Sequence, residues 1–461
     1  MIVTEETLTD RRLRLLESRQ EGHFLDYKSK RTKASSLPKH ISAFANADGG
    51  EIIIGHEDPK RNGKWDGFDD PESANGLIAH LNDCFGHLGI LKLLFLRHPN
   101  RKGVALLIEI EKSAQIVKLL TREIYQRKGA QSLHLDTPEK IRRVEIDKGI
   151  FKYENSKLQS DESELANTLA IIEFMLDAIP SSEPLPWLRK QKLCADGKTT
   201  IAGQVLFSDE PQIELPKTSI KVYRYKTKEK EGSRDTLDFD PLSVDGCAYN
   251  QIYAAVKKVK DITEGIPIVG ASGLEKISYP EVAVHEVITN AVIHRDYSID
   301  DDVHVRIFDD RVEVESPGKL PAHITAQNIL NERFARNPKI VRILNKFKNP
   351  PNKDVGEGLN TTFQAMRDVK LHDPIIEQRE NSVLVILKHE SLASAEEIIV
   401  NYLKEHDEIN NTKAREICFI GDANKMKRVF QKMQESDLIS RIPGRAQNKT
   451  AYVKGKNFPS D

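Results

Sequence analysis

One stretch of the chain, residues 281–297 with the sequence EVAVHEVITNAVIHRDY, is apolar on almost every side when read as a helix. Such a helix belongs in a protein interior. Three polar residues interrupt it, Glu286, Asn290 and His294, and their i, i+4, i+8 spacing places them on one stripe. A buried carboxylate is unfavourable unless a cation or a bound water offsets it. The stripe therefore indicates either a site where a divalent ion and a polarised water meet, or a local pair that only satisfies a loop.

The first 150 residues alternate between helical and strand-like patterns. The opening MIVTEETLTDRRLRLLE predicts the start of a helix, EGHFLDYK contains a short strand, and EIIIG after a Gly-Gly turn predicts a buried strand. A further helix is predicted over 72–85, and strands near 91–96 and 104–110. These elements predict an α/β domain over residues 1–150.

The rest of the chain changes character twice. Residues 151–275 predict helices in LANTLAIIEFMLDAIP and YNQIYAAVKKVKDI, and strands in TTIAGQVLFSD and SIKVYRYKT. Residues 276–390 predict the buried helix, several strands and a helix opened by Gly356 and Gly358. Residues 391–461 predict three helices followed by two strands around a Pro-Gly turn. We therefore expect a multidomain α/β (α+β) protein.

Composition excludes several classes of protein. The 461 residues carry a net charge of -1, so any nucleic acid must be held by local basic patches and not by the overall field. No stretch approaches the ~18 consecutive apolar residues that a membrane helix needs. The four cysteines show no paired spacing, which favours a reducing cytoplasm over a disulfide framework or a zinc site.

Three acidic residues of the first domain stand out, Glu21, Asp26 and Asp58, because they flank two predicted strands. Brought together, they could bind Mg²⁺ or Mn²⁺ as a catalytic metal, with Lys28 beside a phosphate. The alternative is that they are ordinary solvated loop residues. Basic residues in the same domain could contact a nucleic-acid backbone: Lys30, Arg31, Lys33, Arg127 and Lys128.

The pattern EGHFLDYK followed by ISAFANADGGEIIIGHED resembles the Schlafen-type AlbA-like domain. In nucleolytic members three acidic residues form a metal site that cuts RNA, and position by position these fall on Glu21, Asp26 and Asp58. Many relatives have Glu where this chain has Asp26. Other members are described only as nucleic-acid-binding. The resemblance also implies that 151–275 is a connector or dimerisation domain.

The order E-x-x-x-N-x-x-x-H-R-D-Y, S-P-G-x-L-P, R-N-P and G-x-G-L resembles the divergent GHKL-type ATPase domain that often follows AlbA-like domains. The resemblance implies ATP binding with Mg²⁺ on Asn290 and a water activated by Glu286. This chain has Ser316 where the family at large has the Asp that reads adenine. The candidate ATP-binding residues are Asn290, His294, Ser316, Gly318, Lys353, Gly356, Gly358 and Leu359.

The last segment resembles the winged helix-turn-helix of bacterial transcription regulators, whose third helix enters the major groove. Lys427 and Arg428 would face the groove and Arg445 would contact phosphates from the wing. Winged helices also serve as protein-contact modules, which stays an alternative.

Two functions are compatible with these patterns. The first is an enzyme: a metal-dependent nuclease acting on RNA or DNA, gated by a GHKL-type ATP hydrolase that dimerises when loaded, in a bacterial anti-phage defence role. The second is an ATP-responsive DNA-binding regulator that cuts nothing. We expect nucleic acid, nucleotide and a second copy of the chain as partners, and no membrane.

Overall fold

The structure is a computed structural model. It describes the following residues: 3–58, 63–270, 273–276, 279–352, 358–369, 371–388, 395–418, 420, 422–442 and 450–459. The chain divides into two compact units, Met1–Ala365 with Pro374–Leu387, and Met366–Asp373 with Lys388–Asp461. Helices make up 39% and strands 23% of the chain, so the α+β fold class expected from the sequence is confirmed.

The first unit opens with a five-stranded sheet of order β1-β4-β5-β3-β2 and a two-stranded hairpin, β6-β7. Strand β1 runs parallel to β4, and β2 runs parallel to β3; the pairs β3–β5 and β4–β5 are antiparallel. The elements are β1 Val3–Thr7, α1 Asp10–Ser18, β2 Leu25–Lys28, α2 Leu37–Ala45, β3 Gly50–Ile54, α3 Asn75–Phe85, β4 Leu91–Arg97, β5 Val104–Ile110, β6 Tyr125–Lys128, β7 Gln131–His134 and α4 Pro138–Asp147.

Both faces of this sheet are covered, as the alternation along β3 shows. Ile52 and Ile54 point into a core shared with α2 and α3, whereas Ile53 points into a second core with Leu13 of α1. Successive side chains of a strand point to opposite faces, so an uninterrupted apolar run fits a strand buried on both sides.

The helix predicted at the amino terminus is wrong for residues Val3–Thr7, which form β1. This strand pairs with β4 from Val3 opposite Leu93 to Thr7 opposite Arg97. Its side chains are mostly exposed, so the strand is held chiefly by backbone hydrogen bonds at a sheet edge. The sequence shows no apolar alternation that would reveal it.

The next part of the unit contains a three-stranded sheet of order β8-β10-β9, surrounded by helices. Its elements, together with those that follow it, are β8 Lys157–Asp161, α5 Glu162–Ala166, α6 Leu169–Ala178, α7 Pro184–Lys190, β9 Cys194–Ala195, β10 Lys198–Thr200, α8 Ile201–Phe207, β11 Ile220–Arg224, β12 Leu242–Val244 and α9 Ala248–Glu264. The strand expected in TTIAGQVLFSD is wrong over Ile201–Phe207, which form a helix whose seven residues are all buried. Periodicity cannot separate a fully buried helix from a fully buried strand.

A six-stranded sheet of order β12-β11-β15-β16-β18-β17 completes the first unit. The additional elements are β13 Pro267–Gly270, β14 Gly273–Lys276, α10 Glu281–Ile293, β15 Val303–Ile307, β16 Arg311–Pro317, α11 Pro338–Leu344, α12 Gly358–Asp368, β17 Ile375–Gln378 and β18 Ser382–Lys388. Strand β11 lies parallel to β15, with Ile220 opposite Val303. The predicted boundary between 275 and 276 therefore separates strands that share one sheet. Strands far apart in sequence are paired there, which composition does not reveal.

The described part of Lys388–Asp461 in the second unit forms three helices and a three-stranded antiparallel sheet of order β19-β21-β20. Its elements are α13 Ala395–Glu405, β19 Ile409–Asn410, α14 Asn411–Ile417, α15 Ala423–Glu435, β20 Ile439–Arg441 and β21 Ala451–Lys454. The core includes Ile399, Leu403, Phe430 and Met433. The short strand β19 was not predicted. Among the described residues of the whole chain, none of the helices has the length and apolar character needed to cross a bilayer.

Candidate functional site

Asp26 lies on β2, where it is buried and surrounded by basic side chains. Its carboxylate pairs with Arg127 at 3.3 Å, with His40 Nδ1 at 3.2 Å and with Lys28 Nζ. Burial alone would raise the pKa of this carboxyl group. The hydrogen bonds from His40 and Lys28 and the charge of Arg127 outweigh burial and hold the pKa of Asp26 well below its usual range. Asp26 is therefore an anion neutralised within the fold.

Glu21 is a close neighbour of Asp26. One carboxylate oxygen of Glu21 accepts a hydrogen bond from the Tyr27 backbone N–H at 3.0 Å. Partial burial is the largest cause that raises the pKa of Glu21, and the Asp26 carboxylate raises it further. Asp58 is half-buried after β3, and its charge acts on Tyr27, whose pKa burial raises to about 12. Tyr27 and Asp26 are adjacent on a strand and point to opposite faces.

The arrangement of these acidic residues does not fit a metal site. In the part of the chain that the structure describes, no group of three or more His, Cys, Asp or Glu side chains is arranged to hold a metal ion. The oxygens of Asp26 already meet the side chains of Lys28, His40 and Arg127, so a divalent ion would have to displace positive groups. We therefore assign no metal to Glu21, Asp26 and Asp58.

Arg127, predicted from the sequence as a contact for nucleic acid, is buried in the structure. Its side chain is buried, and its guanidinium donates to the carbonyl oxygens of Gly22 at 2.8 Å and Leu25 at 3.3 Å. It also lies over the Phe44 ring, 4.6 Å from the centroid. Burial lowers the pKa of Arg127, and Asp26 opposes that shift. Arg127 fixes the loop before β2 to the hairpin.

The other predicted basic residues differ in how freely they face solvent. Lys30 is half-buried and pairs with Asp66 at 2.9 Å. Arg31 and Lys33 are exposed, and exposed Lys128 approaches Glu380 at 3.4 Å. On α15, Lys427 and Arg428 are exposed, whereas Arg445 lies outside the described residues. Of the basic residues predicted in the first domain, those exposed are therefore Arg31 and Lys33, in the loop between β2 and α2, and Lys128.

A second carboxylate, partly buried Glu286 on α10, has a different environment. Asn290, one turn later, donates its Nδ2–H to Glu286 Oε1 at 2.8 Å. Burial raises the pKa of Glu286, and the hydrogen bond from Asn290 only partly opposes the shift. Within the described ranges no cationic side chain pairs with Glu286. The Asn290 amide uses one N–H donor in this hydrogen bond, and its Oδ1 could coordinate a metal ion.

Gly358 brings the first turn of α12 against Glu286. A Cβ atom added at Gly358 would overlap the Glu286 carboxylate, which would then have to move away. Helix α12 begins at Gly358, and Leu359 follows it half-buried. Lys353 and Gly356 lie outside the described residues. The structure thus brings together Glu286, Asn290 and Gly358 from the predicted nucleotide site.

Three further predicted ATP-binding residues have contacts within the protein. His294 ends α10, its backbone N–H donates to the Asn290 carbonyl at 3.0 Å, and burial lowers the pKa of its ring to about 4. Ser316 Oγ donates to the Ala291 carbonyl at 2.7 Å. Gly318 has a φ of +105°, and a Cβ there would lie 2.6 Å from Asp296 Cβ. These residues support α10 and the following strand.

Sequence reasoning missed Asp48, which joins the two halves of the first unit. Its buried carboxylate pairs with His23 at 2.8 Å and Lys112 at 3.2 Å, and accepts a hydrogen bond from Gln378 of β17 at 2.8 Å. Burial would raise the pKa of Asp48, but His23 and Lys112 hold it far below its usual range. The only available indication was an acidic residue directly before the Gly-Gly turn. His40 was also missed, because its partner Asp26 is distant in sequence.

Comparison with known families covers two parts of the chain. Residues 21–136 match the family described as "Schlafen, AlbA_2", and residues 300–387 match the family described as "Putative ATP-dependent DNA helicase recG C-terminal". The second match begins after α10 and so does not include Glu286 and Asn290. The expected combination of the two domains is confirmed. It supports a nucleic-acid-related ATP-binding protein.

No curated protein matches the chain. Among solved structures, the DIP2311 protein from Corynebacterium diphtheriae is similar at 18% identity, over 94% of this chain and 92% of that chain, with a TM-score of 0.41.

Proposed function

We propose that this chain, which joins a Schlafen-type AlbA-like domain to an ATPase-like domain, is an ATP-responsive nucleic-acid-binding protein that holds its nucleic acid without cutting it. One observation supports this proposal above all: the Asp26 carboxylate is neutralised by Lys28, His40 and Arg127. A neutralised carboxylate does not repel phosphate, so the domain can approach a polyanion without an intervening metal ion.

The alternative of a metal-dependent nuclease, acting in defence, requires Asp26 to exchange its basic partners for a cation. Breaking a buried ion pair usually costs about 3–5 kcal/mol. Glu21 is less able to recruit a divalent ion at moderately acidic pH, because burial and the Asp26 charge raise its pKa. The arrangement therefore favours binding over cleavage.

The nucleotide site is built on Glu286 and Asn290. Asn290 Oδ1 would hold Mg²⁺, which supplies positive charge to the phosphates of ATP when it is bound. Glu286 would orient and deprotonate a water, since a partly buried carboxylate that no described cation pairs with has the raised pKa expected of a general base. Gly358 places the amino end of α12 close by, where backbone N–H groups favour phosphate.

The response to ATP would pass through the contacts between the two halves. Lys112 of the AlbA-like half donates to the carbonyl oxygen of Leu320 at 2.7 Å, two residues after Gly318. Asp48 accepts from Gln378 of β17, and its other partner His23 lies in the loop between Glu21 and β2. A shift of the strand end near Ser316 would thus reach the nucleic-acid side by direct contacts.

The second unit would supply a further contact to DNA. Lys427 and Arg428 lie one residue apart on α15 and are exposed. Contacts of this kind position a protein on the phosphate backbone and add to the salt dependence of binding.

The test uses the purified full chain with labelled RNA, single-stranded DNA and duplex DNA, each with Mg²⁺, Mn²⁺ or EDTA. We expect binding that weakens with salt, does not need a divalent ion and leaves every substrate intact. The double variant Arg31→Gln, Lys33→Gln should weaken binding, whereas the same charge change at exposed Lys190 and Lys257 should not. Mn²⁺-dependent cleavage that disappears in Glu21→Ala would overturn the proposal in favour of the nuclease.

A further inference from the structure

Phe24 is an exposed aromatic residue in the loop that leads into β2. Its relative exposure is 55%, although a large apolar side chain is usually buried. The loop also contains Glu21 and His23, and it ends at β2, whose second residue is Asp26. Phe24 lies two residues before Asp26, at the amino end of β2, and the exposed basic residues Arg31 and Lys33 follow the carboxyl end of the same strand.

The backbone of this loop is fixed on both sides. The Phe24 carbonyl accepts a hydrogen bond from the Glu51 N–H of β3 at 2.8 Å. The residues around it are held by Arg127, which donates to the carbonyl oxygens of Gly22 and Leu25. The exposed ring is thus presented by a rigid support, and its exposure does not come from a loose loop.

The surroundings of Phe24 are polar and charged. The His23 ring packs edge-on against it, with centroids 4.8 Å apart at 88°, and His23 is itself paired with Asp48. Glu51, whose N–H bonds the Phe24 carbonyl, pairs with Arg19 at 2.6 Å. A protein partner would favour a broader apolar patch at this position. A single aromatic face among charged groups instead fits a heterocycle joined to phosphates.

We infer that Phe24 is a stacking platform for an unpaired nucleobase, so that the AlbA-like domain takes single-stranded nucleic acid in preference to a duplex. Every base has a face that can stack on an aromatic ring, whereas a paired base inside a duplex does not expose that face. This inference rests on the proposed function, because it names the class of nucleic acid that the same domain binds.

The experiment compares Phe24→Ala and Phe24→Trp in the full chain with Leu120→Ala, an equally simple truncation of an 80% exposed residue in the same domain. The ligands are a single-stranded oligonucleotide, as RNA and as DNA, and a blunt duplex. Phe24→Ala should weaken single-strand binding roughly tenfold and leave duplex binding unchanged. Phe24→Trp should retain the affinity, and a difference spectrum against wild type should show its fluorescence quenched by the single strand. Leu120→Ala should behave as wild type.

The outcomes separate this inference from the proposed function. Wild-type binding that is absent, or insensitive to the Arg31 and Lys33 changes, overturns both. Salt-dependent wild-type binding with an unaffected Phe24→Ala variant overturns the inference alone, as does an equal loss on single strand and duplex. Unchanged oligonucleotide binding with altered self-association in Phe24→Ala would assign the ring to a protein contact instead. Matching melting temperatures show that each variant is folded.

Discussion

Two carboxylates of one chain, buried Asp26 and partly buried Glu286, have opposite electrostatic environments. Asp26 is surrounded by Lys28, His40 and Arg127, and its pKa lies well below the usual value. Glu286 has a neutral partner, Asn290, and burial raises its pKa. Both residues are acidic positions for which the sequence predicts a role near phosphate and metal. Their difference indicates that, among the described residues, Asp26 has cationic partners and Glu286 has none.

A buried charge without an oppositely charged partner distinguishes a candidate catalytic or binding residue from a residue that only stabilises the fold. A carboxylate that is paired with cations inside the protein would have to break those ion pairs in order to bind a ligand. A carboxylate that is buried without a cation is held there at a free-energy cost, which other parts of the fold offset. We therefore expect substitutions at the two positions to affect stability and activity in opposite ways.

The largest expected effect is on ATP hydrolysis in Glu286→Gln. The change keeps the size of the side chain and a hydrogen-bonding partner for Asn290, but it removes the base. We expect the rate of hydrolysis to fall about 100- to 10,000-fold while ATP binding persists, measured by phosphate release and by thermal stabilisation with ATP.

The same variant should be no less stable than wild type without nucleotide at neutral pH. The folded-state pKa of Glu286 is raised, so its ionisation destabilises the fold as pH rises from the ordinary carboxyl value through the raised one, and Gln removes this effect. Glu281→Gln is the matched control, since Glu281 lies on the same helix, exposed and paired with Lys260 at 2.7 Å. Equal hydrolysis rates in the two variants would contradict the assignment of Glu286.

The second expected effect is a loss of stability in Asp26→Asn. Removing this charge takes from buried Arg127 and from Lys28 the carboxylate that both pair with, which should lower the free energy of unfolding by about 3 kcal/mol. Denaturant unfolding measures it, and Asp136→Asn, in an exposed pair with Lys140, should show no measurable loss. Because the folded pKa of Asp26 is lowered, its contribution is present above the ordinary carboxyl pKa of 3.8 and is lost as pH falls below it. A stable Asp26→Asn protein would remove the contrast with Glu286.

Many of the helices and strands could be predicted because short, continuous stretches of the sequence show their apolar and polar patterns. The stripe of Glu286 and Asn290 on an otherwise apolar helix is confirmed by α10, and the run EIIIG is confirmed by β3. The run EIIIG is short and follows a Gly-Gly turn, whereas the helix is long and carries polar residues four positions apart. Length, flanking residues and this polar spacing therefore identify the two elements. The Schlafen-type motif likewise lies in one continuous stretch.

What escaped prediction depends on contacts between distant residues. Arg127 reads as a surface cation, and only its placement beside Asp26, 101 positions earlier in the chain, shows that it is buried. The helix Ile201–Phe207 reads as a strand because all its residues are buried. Charge and period can be read from the sequence, but partners distant along the chain cannot.

The third prediction concerns Lys148, a buried cation. Like Glu286, it has no described side chain of opposite charge as a partner. Its Nζ donates to the carbonyl oxygens of Ala45 and Ser113, and no described carboxylate lies within ion-pair distance. Burial, with help from Lys112, lowers the pKa of Lys148 to about 7. The unfolded chain then binds the extra proton between pH 7 and the ordinary lysine pKa, so stability rises with pH across that window.

We expect the free energy of unfolding of wild type, relative to Lys148→Met, to increase by about 2 kcal/mol between pH 7 and pH 9. Denaturant unfolding at the two pH values measures the difference. Exposed Lys190→Met is the control and should show no such change. If the difference in unfolding free energy between wild type and Lys148→Met does not change with pH, the charge of Lys148 is compensated in the fold, as that of Asp26 is.

The smallest expected effect is at Asp48, a second carboxylate matched by cations, which lies between the halves that hold Asp26 and Glu286. Its hydrogen bond from Gln378 can be isolated by a double-mutant cycle of Asp48→Ala and Gln378→Ala, where we expect a coupling of about 1.5 kcal/mol in unfolding free energy. If this contact also carries the nucleotide response, Gln378→Ala should retain ATP hydrolysis while an ATP analogue changes nucleic-acid affinity less than in wild type. If the coupling energy is found but Gln378→Ala leaves the effect of ATP on nucleic-acid affinity unchanged, Asp48 only holds the two halves together. The link between the two carboxylate sites would then lie elsewhere. The ion pair of Arg143 and Asp296 would be the next contact to test.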